Sequence, residues 1–289
     1  MKEVTSREFA NGKVYMLMTD DNYPIEVTDT FLPFYTKDCI NEHTNELRED
    51  VLGSREERWM IGVSCMSGCP VRCQFCNTGK LKRYRNLSAK EIYEQVVFIL
   101  DKHPEIKEIN SKEFKINYTR MGEPFLNIEA VKEAIKLIDN EPRLKNVKIH
   151  HYISTIGLKG SDFSFVKDNI TLQISLHSLN EDRRHNLIPI KGLMSIEELG
   201  QIRTNSNLKT TVNMTLVDTK DFDINIMKKY FDPKYFFIKL SPINENEVSK
   251  EHNMGKGIIH RDNLRFITNT TSSIIGVVFF TCNVSPIWI

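Results

Sequence analysis

The stretch "CMSGCPVRCQFCNTGK" at residues 65–80 places four cysteines within twelve residues, out of six in the 289-residue chain. Thiols stay reduced in a cytosolic setting, so such a cluster points to a metal or to catalysis rather than to a disulfide framework. The spacings are Cys65-x3-Cys69-x3-Cys73-x2-Cys76. A structural zinc site pairs C-x2-C with a second pair of Cys or His ligands, and none follows here within a finger's length. Without Cys65 the set becomes C-x3-C-x2-C, with Phe75 just before the last cysteine. Three soft thiolates hold three irons of a [4Fe–4S] cube and leave one iron open for a small-molecule chelate.

The cluster begins at the end of a predicted strand, "RWMIGVSC" (58–65). Further apolar, β-branched runs follow at 113–119, 147–155, 170–178, 210–217, 235–243 and 273–281, and "KVYMLM" (13–18) precedes them. Helical patterns alternate with the strands. In "LSAKEIYEQVVFILDKH", Ser88 and Glu91 have capping-box spacing, and Ile92, Val96, Ile99 and Leu100 form an apolar face. "NIEAVKEAIKLIDN" (127–140) repeats that pattern, and weaker ones lie at 195–203, 224–231 and 261–267. Such alternation implies an α/β fold with a parallel sheet, as a partial or complete barrel or a doubly wound sheet. Residues 1–57 are expected to be a short β-containing extension and residues 58–289 the core domain. No run of about 18 apolar residues and no secretory signal is found, so a cytoplasmic protein without a membrane span is expected. The formal net charge of +1 excludes a chain that binds nucleic acid through bulk charge.

Several strand ends carry polar groups, where α/β barrels place their sites. "YTRMGEPFLN" (118–127) sets Gly122, which allows close backbone approach, before Glu123, a hydrogen-bond acceptor for an ammonium. "YISTIG" (152–157) offers Ser154 and Thr155, "QISLHS" (173–178) offers Ser175 and Ser178, and "LSPINENE" (240–247) offers Asn244. Each hydroxyl reads equally well as a strand-end cap, and His177 as a satisfied core histidine. Lys80, Lys82, Arg83 and Arg85 around Tyr84, and "RRH" at 183–185, read either as nucleic-acid contacts or as solvated charged loops.

The spacing and aromatic of the cysteine triad resemble the signature of the radical S-adenosylmethionine (radical SAM) superfamily. The wider blocks "GVSCMSGCPVRCQFCNTGKLKRYRNLSAKEI", "RMGEPFLN", "ISTIG", "LQISLHSLNEDRRHNLIPI" and "KLSPIN" are similar, in that order, to radical-SAM adenine RNA methyltransferases. The likeness spans residues 58–245. It implies a partial (β/α)6 radical-SAM barrel, a [4Fe–4S] cluster on Cys69, Cys73 and Cys76, and S-adenosyl-L-methionine (SAM) near Gly122, Glu123, Ser154, Thr155, Ser175 and Asn244. It also implies an RNA or nucleotide substrate and an electron donor such as flavodoxin or ferredoxin. The departures are specific. Gly62 stands where the family has a cysteine seven residues before the first cluster ligand, and "VVFFTCNVSPIWI" replaces the family's usual ending. Lys239 takes the place of the first asparagine of the "N-L-x-P-x-N" segment, and the family's N-terminal helical RNA-binding domain is not expected here. A methyl relay would then fall to Cys282 as methyl carrier and Cys65 as resolving nucleophile. Cys65 is three residues from the family position, and an odd offset in a strand points to the other face.

Overall fold

A computed structural model describes residues 1–32, 40–41, 46–47, 53–107, 111–241, 243 and 246–254. The expected strand at 273–281, the helix at 261–267, and the candidates Asn244 and Cys282 lie outside the described residues.

The chain divides into two compact units, Met1–Cys69 with Arg83–Tyr152, and Pro70–Lys82 with Ile153–Ile289. The first unit opens with β1 (Lys2–Phe9), β2 (Gly12–Met18) and β3 (Pro24–Leu32), an antiparallel meander. The two-residue strands β4 (Ile40–Asn41) and β5 (Glu46–Leu47) pair with each other. Strand β6 (Arg58–Val63) pairs antiparallel with β3, so the meander continues directly into the core sheet. After β6 come the short strand β7 (Met66–Ser67), its partner β8 (Arg85–Asn86), and helix α1 (Ala89–Lys102). Strand β9 (Glu113–Tyr118) then pairs parallel with β6, and helix α2 (Ile128–Asp139) follows.

Local chemistry accounts for these elements. The capping box read from Ser88 and Glu91 is formed. Ile92, Val96, Ile99 and Leu100 are buried, as are Val131, Ile135 and Ile138 of α2. β3 escapes sequence patterning because both of its faces are buried and one of them is polar. Glu26, Thr28, Asp29 and Thr30 are all buried. Burying such groups is costly unless they are bonded, and Glu26, Asp29 and Thr30 have partners here. Asp29 accepts from Trp59 Nε1 at 2.7 Å and Arg55 Nη2 at 2.6 Å, Thr30 donates to the Met60 carbonyl, and Glu26 pairs with Arg120. β1 escapes because its residues are mostly exposed and mostly polar.

Strand β10 (Ile149–Thr155) runs through the boundary between the units. In the second unit β11 (Ile170–Ser175), β12 (Thr210–Thr215) and β13 (Phe236–Ser241) pair in parallel. Helices α3 (Glu181–Leu187) and α4 (Ile196–Gly200) connect β11 to β12, α5 (Ile224–Tyr230) connects β12 to β13, and α6 (Glu247–Glu251) follows. Leu172, Ile174, Val212, Met214, Ile238 and Leu240 bury one sheet face. The fold is therefore α/β, with six successive strands, β6 and β9–β13, in the order expected of a partial (β/α)6 barrel. No described helix is long and apolar enough to cross a membrane.

Candidate active site

In the first unit, the segment after β6 is fixed by Ser64. Its backbone N–H donates to Gln95 Oε1 (2.8 Å) and its carbonyl accepts from Gln95 Nε2 (2.9 Å). Its hydroxyl donates to the Glu26 carbonyl at 2.7 Å and accepts from Met121 N–H at 3.1 Å. Ser64 thereby joins β3, α1 and the turn after β9. Asn127 adds a second tie, its Nδ2 donating to the carbonyls of Cys65 (2.8 Å) and Leu87 (2.7 Å). Neither residue was singled out from the sequence. The available signal was Asn127 standing at an N-cap position, yet its side chain makes no cap bond.

Gly122 has φ +101°, and a Cβ there would lie 2.5 Å from Met66 Cγ and 2.9 Å from Met66 N. Only glycine fits both the backbone angle and the gap. Glu123 follows, 4% exposed, with Oε1 accepting the Phe125 N–H at 3.1 Å. A carboxylate is thus buried at the C-terminal end of β9, where the sequence placed it.

Cys65 lies in the same region but is 1% exposed, its Sγ donating to the Met121 carbonyl at 3.5 Å. Burial pushes its thiol well above the ordinary range, and the charges of Glu123 and Cys69 push the same way. The thiolate that a resolving nucleophile requires is disfavoured there. Cys69, Cys73 and Cys76 are only partly buried. Gly62 is packed tight: a Cβ would fall 2.3 Å from Thr28 Oγ1 and 3.1 Å from Arg120 Cδ.

In the second unit, the cysteine loop turns through Arg72 at φ +55°, and Cys76 N–H bonds the Cys73 carbonyl at 3.1 Å. Gln74 N–H bonds the Leu187 carbonyl at the end of α3. Asn246 Nδ2 donates to the Phe75 carbonyl at 2.9 Å, and the Asn77 side chain accepts from Val248 N–H. The Phe75 ring meets His177 edge-on, with centroids 4.7 Å apart. His177 is buried at φ +62°, and its Nδ1 accepts the Thr215 N–H. Burial, helped by the nearby Arg184 charge, lowers its pKa to about 3. It is the satisfied core histidine of the plainer reading.

The strand-end hydroxyls separate by parity. Ser154 Oγ lies 3.0 Å from Ser175 Oγ and accepts from Gln173 Nε2 at 2.8 Å. Ser241 Oγ donates to Asn213 Oδ1 at 2.7 Å. Gln173, Ser175, Thr211, Asn213 and Ser241 alternate with the buried apolar residues and so form a polar sheet face. Thr155 is on the opposite side, 1% exposed, and its Oγ1 accepts the Gly157 N–H. Ser178 likewise caps its own turn, accepting from Asn180 N–H.

The expected basic patches are largely occupied. In "RRH", Arg183 pairs with buried Asp221, and Arg184 is fully buried, because the segment is helix α3 rather than a loop. Arg85 pairs with Glu91 and Asp21, Lys80 with Glu247 and Glu251, and Arg83 lies over the Tyr23 ring at 4.5 Å. Tyr84 remains 49% exposed.

Among the described residues no group of three His, Cys, Asp or Glu side chains converges to hold a metal ion. The donor chemistry fits an iron–sulfur cluster all the same: three thiols at C-x3-C-x2-C spacing, each partly exposed, while Cys65 is buried.

The radical SAM superfamily model matches residues 63–230, more than half of the chain. The chain belongs to the radical SAM superfamily. Among curated relatives, it is 36% identical over 193 residues to a probable dual-specificity RNA methyltransferase RlmN of Chlorobium phaeobacteroides (strain DSM 266 / SMG 266 / 2430). That match covers 64% of this chain and 52% of the relative. The corresponding protein of Pseudothermotoga lettingae is 32% identical over 208 residues, 68% of this chain and 58% of the relative. The chain thus spans about half the length of the curated relatives it matches. A radical SAM methyltransferase from Sphaerobacter thermophilus shares the fold, with a TM-score of 0.66 and 22% identity over 97% of this chain and 77% of that one. The resemblance to RNA methyltransferases read from the motif blocks is matched by these relatives.

Proposed function

We propose that this chain binds a [4Fe–4S] cluster through Cys69, Cys73 and Cys76, binds SAM, and modifies an adenine in RNA or a related nucleotide, most directly by methylation. Residues 58–289 are the catalytic core in this reading and residues 1–57 an extension. When bound, the cluster with SAM supplies reductive cleavage of the sulfonium to a 5′-deoxyadenosyl radical. The chain's own residues bind, orient and exclude water. The three partly exposed thiols are the ligands. Glu123, buried and held by its cap bond, is a fixed acceptor for the SAM ammonium, and Gly122 keeps the backbone beside it free of a side chain. Ser154 and Ser175 present paired hydroxyls on the polar sheet face, and Thr155 holds the turn beside them. Asn244 is assigned the adenine edge, and a donor such as flavodoxin or ferredoxin supplies the electron.

The observation that carries the reading is the contrast among four neighbouring thiols. Cys65 is buried against Met121, while the other three, at the superfamily spacing, are partly exposed. The same observation weighs against the relay through Cys65 and Cys282. The RNA substrate rests on the curated relatives, whose printed names specify RNA methyltransferases.

The test is incubation of the anaerobically reconstituted protein with SAM, reductant and RNA, followed by mass spectrometry of the digested nucleosides. Methylated adenosine is the expected product. Turnover of SAM to 5′-deoxyadenosine without any methylated nucleoside would favour the second reading, hydrogen abstraction from another substrate without methyl transfer. Tetrahedral zinc with no SAM cleavage would leave only a non-catalytic metal-binding module.

A further inference from the structure

Helix α3 carries a cation that the proposed chemistry does not use. Arg184 is 0% exposed. Its Nη1 donates to the Met194 carbonyl at 2.6 Å and its Nη2 to the Ile156 carbonyl at 2.7 Å, while its buried Nε has no hydrogen-bond partner. Among the described residues no carboxylate bonds it. Glu181, one turn earlier on α3, instead accepts the Ile196 N–H at 2.6 Å. Burial lowers the Arg184 pKa to about 10, against a raising effect from the Glu181 charge. A buried guanidinium without a bonded carboxylate is costly, so packing alone does not explain it.

The two carbonyls belong to segments that are laced together. Leu158 bridges Leu193, Met194 N–H bonds the Gly157 carbonyl at 3.0 Å, and Lys159 N–H bonds the Gly192 carbonyl at 2.7 Å. Gly157 takes φ +78°, and a Cβ there would lie 2.4 Å from Leu199 Cδ2. The turn after β10 is thus wedged against α4 and held from the other side by Arg184. Ser154, with its partner Ser175, lies two residues upstream of the clamped carbonyl.

We infer that Arg184 is a positioning residue, whose planar fork ties the turn Thr155–Gly157 to residues 192–194 and so sets the Ser154 hydroxyl for SAM. A fork of five donors spans two carbonyls at fixed separation, which a lysine ammonium does not reproduce. This inference rests on the reading that SAM binds at these strand ends.

The test uses the full chain, anaerobically reconstituted, as wild type, Arg184→Met and Arg184→Lys. Three quantities are measured: iron per chain, SAM affinity by equilibrium dialysis, and hydrogen exchange of amides 156–159 and 192–195. Arg184→Met is expected to keep its iron, to exchange faster in both segments together, and to bind SAM about tenfold more weakly, the scale of one lost charge-assisted hydrogen bond. Arg184→Lys should recover part of both effects, and it carries the test if Arg184→Met does not fold. Unchanged exchange in both segments would overturn the clamp. Faster exchange with unchanged SAM affinity would overturn the positioning role. A wild type that binds no SAM would overturn the underlying reading and this inference with it, while the exchange data would still report separately on the clamp.

Discussion

The Cys65 thiol donates to the carbonyl oxygen of Met121 at 3.5 Å, joining the end of the first core strand to the turn after the second. Its backbone N–H bonds the same carbonyl at 2.9 Å. Cys65 is therefore a packing and hydrogen-bonding residue. Cys65→Ala should lose only about 1 kcal/mol of stability and keep its iron. Cys69→Ser, Cys73→Ser and Cys76→Ser should each lose the cluster. Iron per chain and a denaturant titration of the four variants measure both effects.

Gly122 and Met66 give a second outcome. The φ of +101° and a Cβ contact of 2.5 Å leave no relaxed place for a side chain. Gly122→Ala is expected to lose about 1–3 kcal/mol of stability, read from the denaturation midpoint.

Glu123 separates fold from binding. Glutamine retains an oxygen to accept the Phe125 N–H, so Glu123→Gln should melt near the wild-type temperature. It lacks the charge for an ammonium, so SAM should bind about tenfold more weakly. Equilibrium dialysis of the reconstituted variant checks this.

Asp29 and His103 make stability depend on pH. The hydrogen bond to Asp29, reinforced by Glu105, raises the His103 pKa above its ordinary 6.5 despite partial burial. Burial pushes Asp29 up, but the His103 and Arg55 hydrogen bonds outweigh it and hold its carboxyl below the ordinary 3.8. A raised histidine stabilises the fold fully below about 6.5, and that contribution is lost as pH rises through the folded value. A lowered carboxylate stabilises above 3.8 and loses its contribution as pH falls through the folded value. The denaturation midpoint should therefore decline as pH rises above 6.5, and His103→Asn should flatten that decline. Urea titrations across the range measure the slope.

Much of this was legible in the sequence, for identifiable reasons. The core strands and α1 and α2 show themselves because one face of each is apolar. The cysteine triad shows itself because its spacing is local. Gly122 and Glu123 were legible because they follow a clear strand. β3 was hidden because Glu26, Thr28 and Thr30 give it one polar buried face and Asp29 interrupts the other, with the partners of Glu26, Asp29 and Thr30 far along the chain. Arg184 was hidden for the same reason: a charge in "RRH" reads as solvated until its carbonyl partners at 156 and 194 are known. The place of Cys65 needed its burial, which spacing does not carry, although strand parity already set it apart.

The central claim is that three thiols at 69, 73 and 76 build a SAM-cleaving centre. The most direct measurement is 5′-deoxyadenosine formed by the anaerobically reconstituted protein with SAM and reductant, compared with Cys76→Ser. The account predicts deoxyadenosine from the wild type and none from Cys76→Ser. A wild type that carries iron and sulfide but forms no deoxyadenosine, or a Cys76→Ser variant that forms as much as the wild type, would contradict it.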